Sequence, residues 1–453
     1  MNPTITLAAT IRATGLPQNL IDEIVGENRF ENPSYLSNEK NGRSNWDTPR
    51  YIETSRFEDN SLILPRGYLS RLLWILQRGN IEYERDDQRF AFPISFINHL
   101  YGVKLRPYQE TCVESAIQRE QGIIVAPTGS GKSLIGLEIL RKRGQKSLII
   151  LHRSDLAKQW ISLIKERLGI DAGLIGSGEW KIGDEITVAL VQTLASREKD
   201  LPELPFGLVL VDECHHVPAQ SFFQVLSLID ARFRYGLSAT PIRADGLEKL
   251  IYYGIGPAIE RIDRAEVEEI GATVPAEVKI IQTGFSPSYC SSWPAYTTEL
   301  CGSSDRNLLI IELIARQTRP TLVLLDRVGH AENLSGMLNR RNIQHILAHG
   351  KVKREGLLEK MRNSSITIGT SSLLGEGLDI KGWEILILGS PISSETKLLQ
   401  TIGRVVRSAP GKEKAVIYDL KDGCGFAGAS FKKRFAVYKE NKIWVDFGKE
   451  RAA

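Results

Sequence analysis

Nine short runs of continuously apolar sequence, each followed by loop and helix-like sequence, constrain this chain more than any other feature. Residues 122–126, 147–151, 186–191 and 208–211 form one series; 321–325, 345–348, 366–370, 384–388 and 415–418 form a second. A strand that shows one face to water alternates, whereas a run apolar throughout suits a parallel strand buried on both faces and joined to the next by a helix. Two α/β domains in tandem are therefore expected.

The predicted organisation is an amino-terminal accessory module over 1–100, a first α/β domain over 101–270, a linker over 271–304, a second α/β domain over 305–425 and a tail over 426–453. The linker is richer in Ser, Thr, Gly and Pro, although residues 278–281 could still form a strand. No repeat period or low-complexity tract suggests a solenoid. With 42% hydrophobic and 25% charged residues, the composition is that of a soluble globular protein. No apolar run of about 18 residues is present, and the start lacks the basic-then-apolar pattern of a secretory signal, so a cytoplasmic protein without membrane contact is expected. The five cysteines form no Cys-x-x-Cys pair, which points to reduced thiols rather than a disulfide framework or a zinc ribbon. A net charge of +4 selects no partner class by itself.

The chemistry sits at the ends of the apolar runs. Ala126-Pro-Thr128-Gly129-Ser130-Gly131-Lys132-Ser133 follows one run and precedes a helix-like segment, the context a phosphate-binding loop requires. Gly129 and Gly131 let backbone amides approach phosphate oxygens, Lys132 reaches the terminal phosphates, and Ser133 can ligate Mg²⁺. Asp212 and Glu213 end another run. Asp212 is placed to hold Mg²⁺ through its water shell, and Glu213 to orient or deprotonate the attacking water. Cys214, His215 and His216 are consecutive and cannot easily converge on one ion, so zinc is disfavoured. His215 reads as a coupling residue, with a satisfied structural histidine as the alternative. Far downstream, Gln400-Thr-Ile-Gly403-Arg404-Val-Val-Arg407 carries two arginines three apart, which on a helix share one face. Such guanidinium groups suit the spread charge of a phosphoryl-transfer transition state, where an arginine is worth about 10³ to 10⁵ in rate. A solvated basic helix face is the bland alternative.

Taken in order, these segments resemble a superfamily 2 helicase, and more narrowly the XPB and UvsW group of DNA helicases, over roughly residues 105–407. Leu105-Arg106-Pro-Tyr-Gln109 resembles the family's adenine-sensing Q motif. Residues 151–160 resemble motif Ia with Arg153, Val191-Gln-Thr193-Leu194 the following strand-binding motif, and Ser238-Ala-Thr240 motif III. Gly369-Thr370-Ser371 through Gly375-Glu-Gly377-Leu-Asp379 resembles the coupling motif of the second domain, and 400–407 motif VI. The resemblance implies two tandem RecA-like parallel-sheet domains with a small N-terminal α+β accessory domain. It also implies ATP and Mg²⁺ as cofactors. Lys132, Asp212, Glu213, Gln400, Arg404 and Arg407 would act in hydrolysis; Gln109, Arg106, Thr128, Gly129, Ser130, Gly131, Lys132, Ser133, Gly377 and Asp379 would bind nucleotide. Arg153, Thr193, Thr370 and Ser371 would touch the strand; His215, Ser238 and Thr240 would couple the two events. The implied partner is DNA, as branched or tailed duplex with a single strand in the motor groove, handled by a monomer moving 3′ to 5′. Motif VI departs from the DEAD-box pattern, which favours DNA over RNA.

The accessory module interleaves Trp46, Tyr51, Tyr68 and Trp74 with Arg43, Arg50, Arg66 and Arg71, a pattern able to stack bases and hold phosphates. It also carries 13 Asp and Glu against 11 Lys and Arg, which argues against a broadly basic binding surface. In the tail, Phe431-Lys-Lys-Arg434 could extend the strand path or form a solvated charge run. A translocase that does not separate strands, an RNA helicase, a restriction or nuclease motor and a non-enzymatic scaffold are the competing readings. No nuclease cluster is apparent, and the residues of the hydrolytic motifs are all present.

Overall fold

A computed structural model describes residues 2–447 except 96–98, 215–218, 240–245, 288–291, 351, 353–355, 372–379, 381 and 424. His215, Thr240, Gly377 and Asp379 lie outside the described residues. The chain divides into two compact units, Met1–Ala126 with Gly131–Ile262, and Pro127–Ser130 with Asp263–Ala453.

The first unit begins with strands β1 (Thr4–Leu7), β2 (Thr10–Thr14), β3 (Arg29–Glu31), β4 (Tyr51–Glu53), β5 (Arg56–Glu58), β6 (Ser61–Pro65) and β7 (Glu84–Asp87). Five of them form a sheet in the order β5-β6-β2-β1-β7, and β3 pairs with β4. Leu72, Ile75 and Leu76 of the helix Leu69–Arg78 recur at the spacing of one helix face, and they pack with Leu20 and Ile24 against Ile5, Leu7, Ile11, Leu62 and Leu64. This is the small α+β module.

The apolar runs then form the first large sheet. Its strands are β8 (Gln121–Val125), β9 (Ser147–Leu151), β10 (Gly173–Gly176), β11 (Glu179–Lys181), β12 (Ile186–Leu190), β13 (Leu208–Asp212), β14 (Phe233–Ser238) and β15 (Ala258–Arg261). The order is β11-β10-β12-β9-β13-β14-β8-β15, parallel throughout except for the β10–β11 hairpin. Helices cover both faces, so β9 and β13 are buried along their whole length.

Within this unit the module is seated on the amino-terminal end of the sheet. Arg66, almost wholly buried, donates to the carbonyls of Ala231 and Arg232 and to Gln121 Oε1 at 3.0 Å; Gln121 Nε2 donates back to Arg66 O at 3.0 Å. From the other side Arg234 donates to the carbonyls of Leu226, Ile229, Gly254 and Ala9. Tyr68 meets Tyr253 edge-on at 5.8 Å, and Tyr253 donates to Glu27 O at 3.0 Å. A guanidinium buried without a carboxylate partner is costly to desolvate, and here carbonyl acceptors compensate it.

The second unit is a sheet of β16 (Ala276–Gln282), β17 (Thr321–Leu325), β18 (Ile346–Ala348), β19 (Ile366–Thr370), β20 (Ile385–Leu388), β21 (Ala415–Lys421) and β22 (Trp444–Asp446), in the order β18-β19-β17-β20-β21-β16-β22 and parallel throughout. The segment expected as a linker contributes β16 and the helix Trp293–Gly302, and the segment expected as a tail contributes β22 and most of the helix Gly425–Glu440. Two ion pairs anchor these additions. Arg434 pairs with Asp419 at 2.8 Å, with Tyr438 donating to the same carboxylate at 2.9 Å. Arg306 pairs with Asp422 at 2.9 Å, with Tyr296 donating at 2.8 Å. Extra donors make these buried charges tolerable. Arg434 is thus a packing residue, and only Lys432 and Lys433 of that basic run are exposed.

Candidate nucleotide and nucleic-acid site

In the first unit the chemistry-bearing segments all leave the carboxyl ends of parallel strands, where open α/β sheets bind their ligands. The phosphate-binding loop follows β8, Arg153 follows β9, Thr193 follows β12, Asp212 closes β13 and Ser238 closes β14. Because β12, β9, β13, β14 and β8 are neighbours in that order, five segments remote in sequence share one edge.

The loop is left-handed at Gly129 (φ +93°) and Gly131 (φ +78°), the conformation for which glycine is needed. At Gly131 there is a second reason: a Cβ would stand 2.5 Å from Gln109 Nε2. Gln109 therefore lies against the loop, and its Oε1 accepts from the Arg106 backbone N–H at 2.9 Å. Lys132 opens the helix Lys132–Arg143 and is buried; its Nζ donates to Ala126 O at 3.3 Å and stands 3.6 Å from Glu213 Oε1. Thr128, Ser130 and Ser133 lie in the same loop and first helical turn.

The carboxylates differ in environment. Asp212 is buried; its Oδ1 accepts from the Glu213 backbone N–H and its Oδ2 from Trp160 Nε1, both at 2.9 Å. Burial, with the neighbouring Glu213 charge, pushes the Asp212 carboxyl up to about 6, against the pull of Lys132 and Trp160. Glu213 is less buried and held at φ +48°, a conformation that costs a non-glycine residue about 1 kcal/mol or more. The Cys214 thiol is raised by burial and by both carboxylates, partly offset by a hydrogen bond with Ser238. Its backbone N–H donates to Leu237 O, so this cysteine is a core residue beneath the site. Two adjacent carboxylates, one buried and reluctant to ionise, suit a divalent cation, which Asp212 with Ser133 would hold. Among the described residues there is no cluster of three or more His, Cys, Asp or Glu that could hold a metal ion.

The strand-facing expectations divide. Arg153 is partly exposed at the start of the helix Ser154–Leu168, within 3.9 Å of Asp155. Gln192, beside Thr193, donates to His152 O at 3.1 Å, so these two segments are tied together. In the second unit, by contrast, Thr370 is fully buried and Ser371 nearly so, its hydroxyl donating to Asp326 at 3.1 Å. Lys397 reaches the same carboxylate at 3.4 Å.

Motif VI corrects one expectation. Gln400 and Arg404 lie on the helix Glu395–Val405, but Arg407 does not. Val406 caps the helix, its carbonyl accepts from the Val274 N–H at 2.8 Å, and Arg407 pairs antiparallel with Thr273. The two arginines do not share a helix face, because pairing with an upstream strand-like segment ends the helix before Arg407.

Two polar partners were missed from sequence. Trp160 holds Asp212, and its ring also covers Gly136, where a Cβ would lie 3.0 Å from the indole. Lys412 stands below Arg407. Neither spacing, 52 residues for Trp160 and 5 for Lys412, carries a local signal. In the accessory module, Arg66 and Tyr68 are consumed by the seam with the sheet, and Arg71 and Arg78 flank Trp74 while paired with Glu27 and Glu23. Trp46, at 92% exposure, remains at the surface, and Tyr51 is half-buried between Arg29 and Arg50.

Residues 102–243 match the family model of the type III restriction enzyme res subunit, and residues 305–409 that of the helicase conserved C-terminal domain, together more than half of the chain. The probable helicase D10 of Escherichia phage T5 is 27% identical over 387 residues, covering 81% of this chain and 82% of that protein. The DNA 3′-5′ helicase XPB of Mycobacterium tuberculosis is 26% identical over 409 residues, covering 84% and 72%. Among solved structures, a fragment of a putative HsdR subunit of a type I restriction enzyme from Vibrio vulnificus matches with a TM-score of 0.59 at 19% identity, over 76% of this chain and 68% of that one, a likeness of fold. Tandem RecA-like sheets, the two family models matched in order and helicase relatives along most of the length lead to one conclusion: the chain belongs to the superfamily 2 helicases.

Proposed function

We propose that this protein is an ATP-dependent DNA helicase that moves 3′ to 5′ along one strand and remodels branched DNA such as forks and Holliday junctions. The observation that carries the reading is the shared sheet edge of the first unit, where Gly131 and Lys132 of the phosphate-binding loop, the two carboxylates and the Arg153 and Thr193 segments stand on neighbouring strands. A change in phosphate occupancy at the loop can thus be felt at a nucleic-acid strand without crossing the sheet. The likeness to the mycobacterial 3′-5′ DNA helicase supports both the polarity and the choice of DNA.

In this reading Gly129, Gly131 and Lys132 cradle the phosphates and Gln109 reads the base. Mg²⁺, held by Ser133 and Asp212, would supply charge neutralisation of the phosphates when bound. Glu213, more exposed than Asp212 and beside Lys132, orients and deprotonates the attacking water. Trp160 fixes the Asp212 carboxylate. Arg404 and Arg407 supply positive charge to the transition state. Arg153 and Thr193 contact phosphates rather than bases, so movement is sequence-tolerant and weakened by salt.

The test is strand displacement on forks, Holliday junctions, displacement loops, duplexes tailed on either strand, and RNA hybrids. Unwinding of forks and of 3′-tailed DNA is expected. Activity on 5′ tails alone would refute the polarity, and DNA-stimulated ATP turnover without displacement of any substrate would reduce the protein to a translocase.

A further inference from the structure

Lys412 is a buried lysine. It ends a turn in which Gly411 is left-handed (φ +78°) and its own N–H donates to Ala409 O at 3.1 Å. Its Nζ donates to Arg407 O at 2.9 Å and to the carbonyl of Trp383, a side chain 1% exposed just before β20. The ammonium thus clamps two backbone segments, one of them Arg407 itself.

Burial makes such a clamp costly, and a methionine of similar length would fill the space without that cost. Arg407 has left its helix, and its backbone is fixed from three directions: the helix end at Val406, the pairing with Thr273, and Lys412. Two of these are ordinary chain geometry, and the third is a charged donor reaching the carbonyl of the arginine. We propose that Lys412 is a positioning residue for Arg407, holding its backbone so that the guanidinium meets the phosphoryl group in the productive orientation. This rests on the assignment of Arg407 to the hydrolytic reaction made above.

The group also titrates in a useful range. Burial brings the Lys412 ammonium down to about 8; the charges facing it are Glu384, which opposes that fall, and Arg407, which adds to it. Above about pH 8 the clamp loses its charge and loosens.

The experiment is a double-mutant cycle on the full chain, reading DNA-saturated kcat, affinity for a fluorescent ATP analogue and the pH profile of kcat. Lys412→Met should lower kcat about 10- to 100-fold, the scale of a 1 Å misplacement, with nucleotide affinity within about twofold of wild type. Lys412→Arg should restore most of kcat and move the alkaline fall near pH 8 to higher pH. In an Arg407→Ala background, Lys412→Met should cost nothing further. The same loss in that background, or kcat and affinity falling together, overturns the proposal. Should Lys412→Met not fold, Lys412→Leu, which also removes the donor, carries the same expectations. An Arg407→Ala protein with normal turnover would instead sink the arginine assignment, and that result comes from the single variant alone.

Discussion

Trp160 Nε1 donates to Asp212 Oδ2 at 2.9 Å, joining the helix that starts beside Arg153 to the buried carboxylate at the end of β13. An indole N–H is a donor only, so the bond fixes which lone pair of Asp212 is left for other partners. Trp160→Phe removes the donor together with the Cη2 edge of the indole that covers Gly136. Leaving a buried carboxylate short of one bond costs about 1–3 kcal/mol, so kcat should fall roughly tenfold and the Mg²⁺ concentration for half-maximal turnover should rise. A Mg²⁺ titration of ATP turnover superimposable on wild type would rule out this positioning role.

The accessory module should be inseparable from the first sheet. Arg66→Leu leaves the carbonyls of Ala231 and Arg232 without their charged donor and is expected to cost about 1–3 kcal/mol in local stability for each carbonyl left unsatisfied. Hydrogen exchange would read this as lost protection in β1, β2 and β6. Arg43→Ala, at an exposed position, should change stability by under about 0.5 kcal/mol. Equal effects of the two substitutions would mean that the seam does not hold the module.

Acid should destabilise the second unit through His330. Its Nε2 donates to Asn307 Oδ1 at 2.8 Å, and burial with the nearby Arg306 lowers its pKa from 6.5 to about 4. The native state keeps the ring neutral while the unfolded chain takes up a proton, so stability is full above about pH 6.5 and is lost as pH falls toward about 4. The loss is at most about 3 kcal/mol. His330→Gln keeps a donor toward Asn307 without a titrating ring, and its thermal midpoint should fall less than wild type between pH 7 and pH 5. Parallel declines would assign the acid sensitivity elsewhere.

What could be read in the sequence was what depends on the chain near it. Continuous apolar runs at 147–151, 208–211 and 321–325 are strands because nothing polar interrupts them, and a loop such as Gly129 to Ser133 has few other uses after a strand. Arg407 was misplaced because the helix end is fixed by Thr273 and Val274, more than a hundred residues away. Residues 271–304 looked like a connector because β16 joins the sheet between β21 and β22, strands the chain has yet to make at that point. The arginines of the accessory module were ambiguous for the same reason: whether Arg66 meets a phosphate or a carbonyl depends on partners near residues 121 and 231.

Whether Arg407 takes part in ATP hydrolysis is read from DNA-stimulated turnover in Arg407→Ala. The expected result is a fall in kcat of about 10³-fold or more with nucleotide affinity changed only a few-fold. Turnover at the wild-type, DNA-stimulated rate would contradict it.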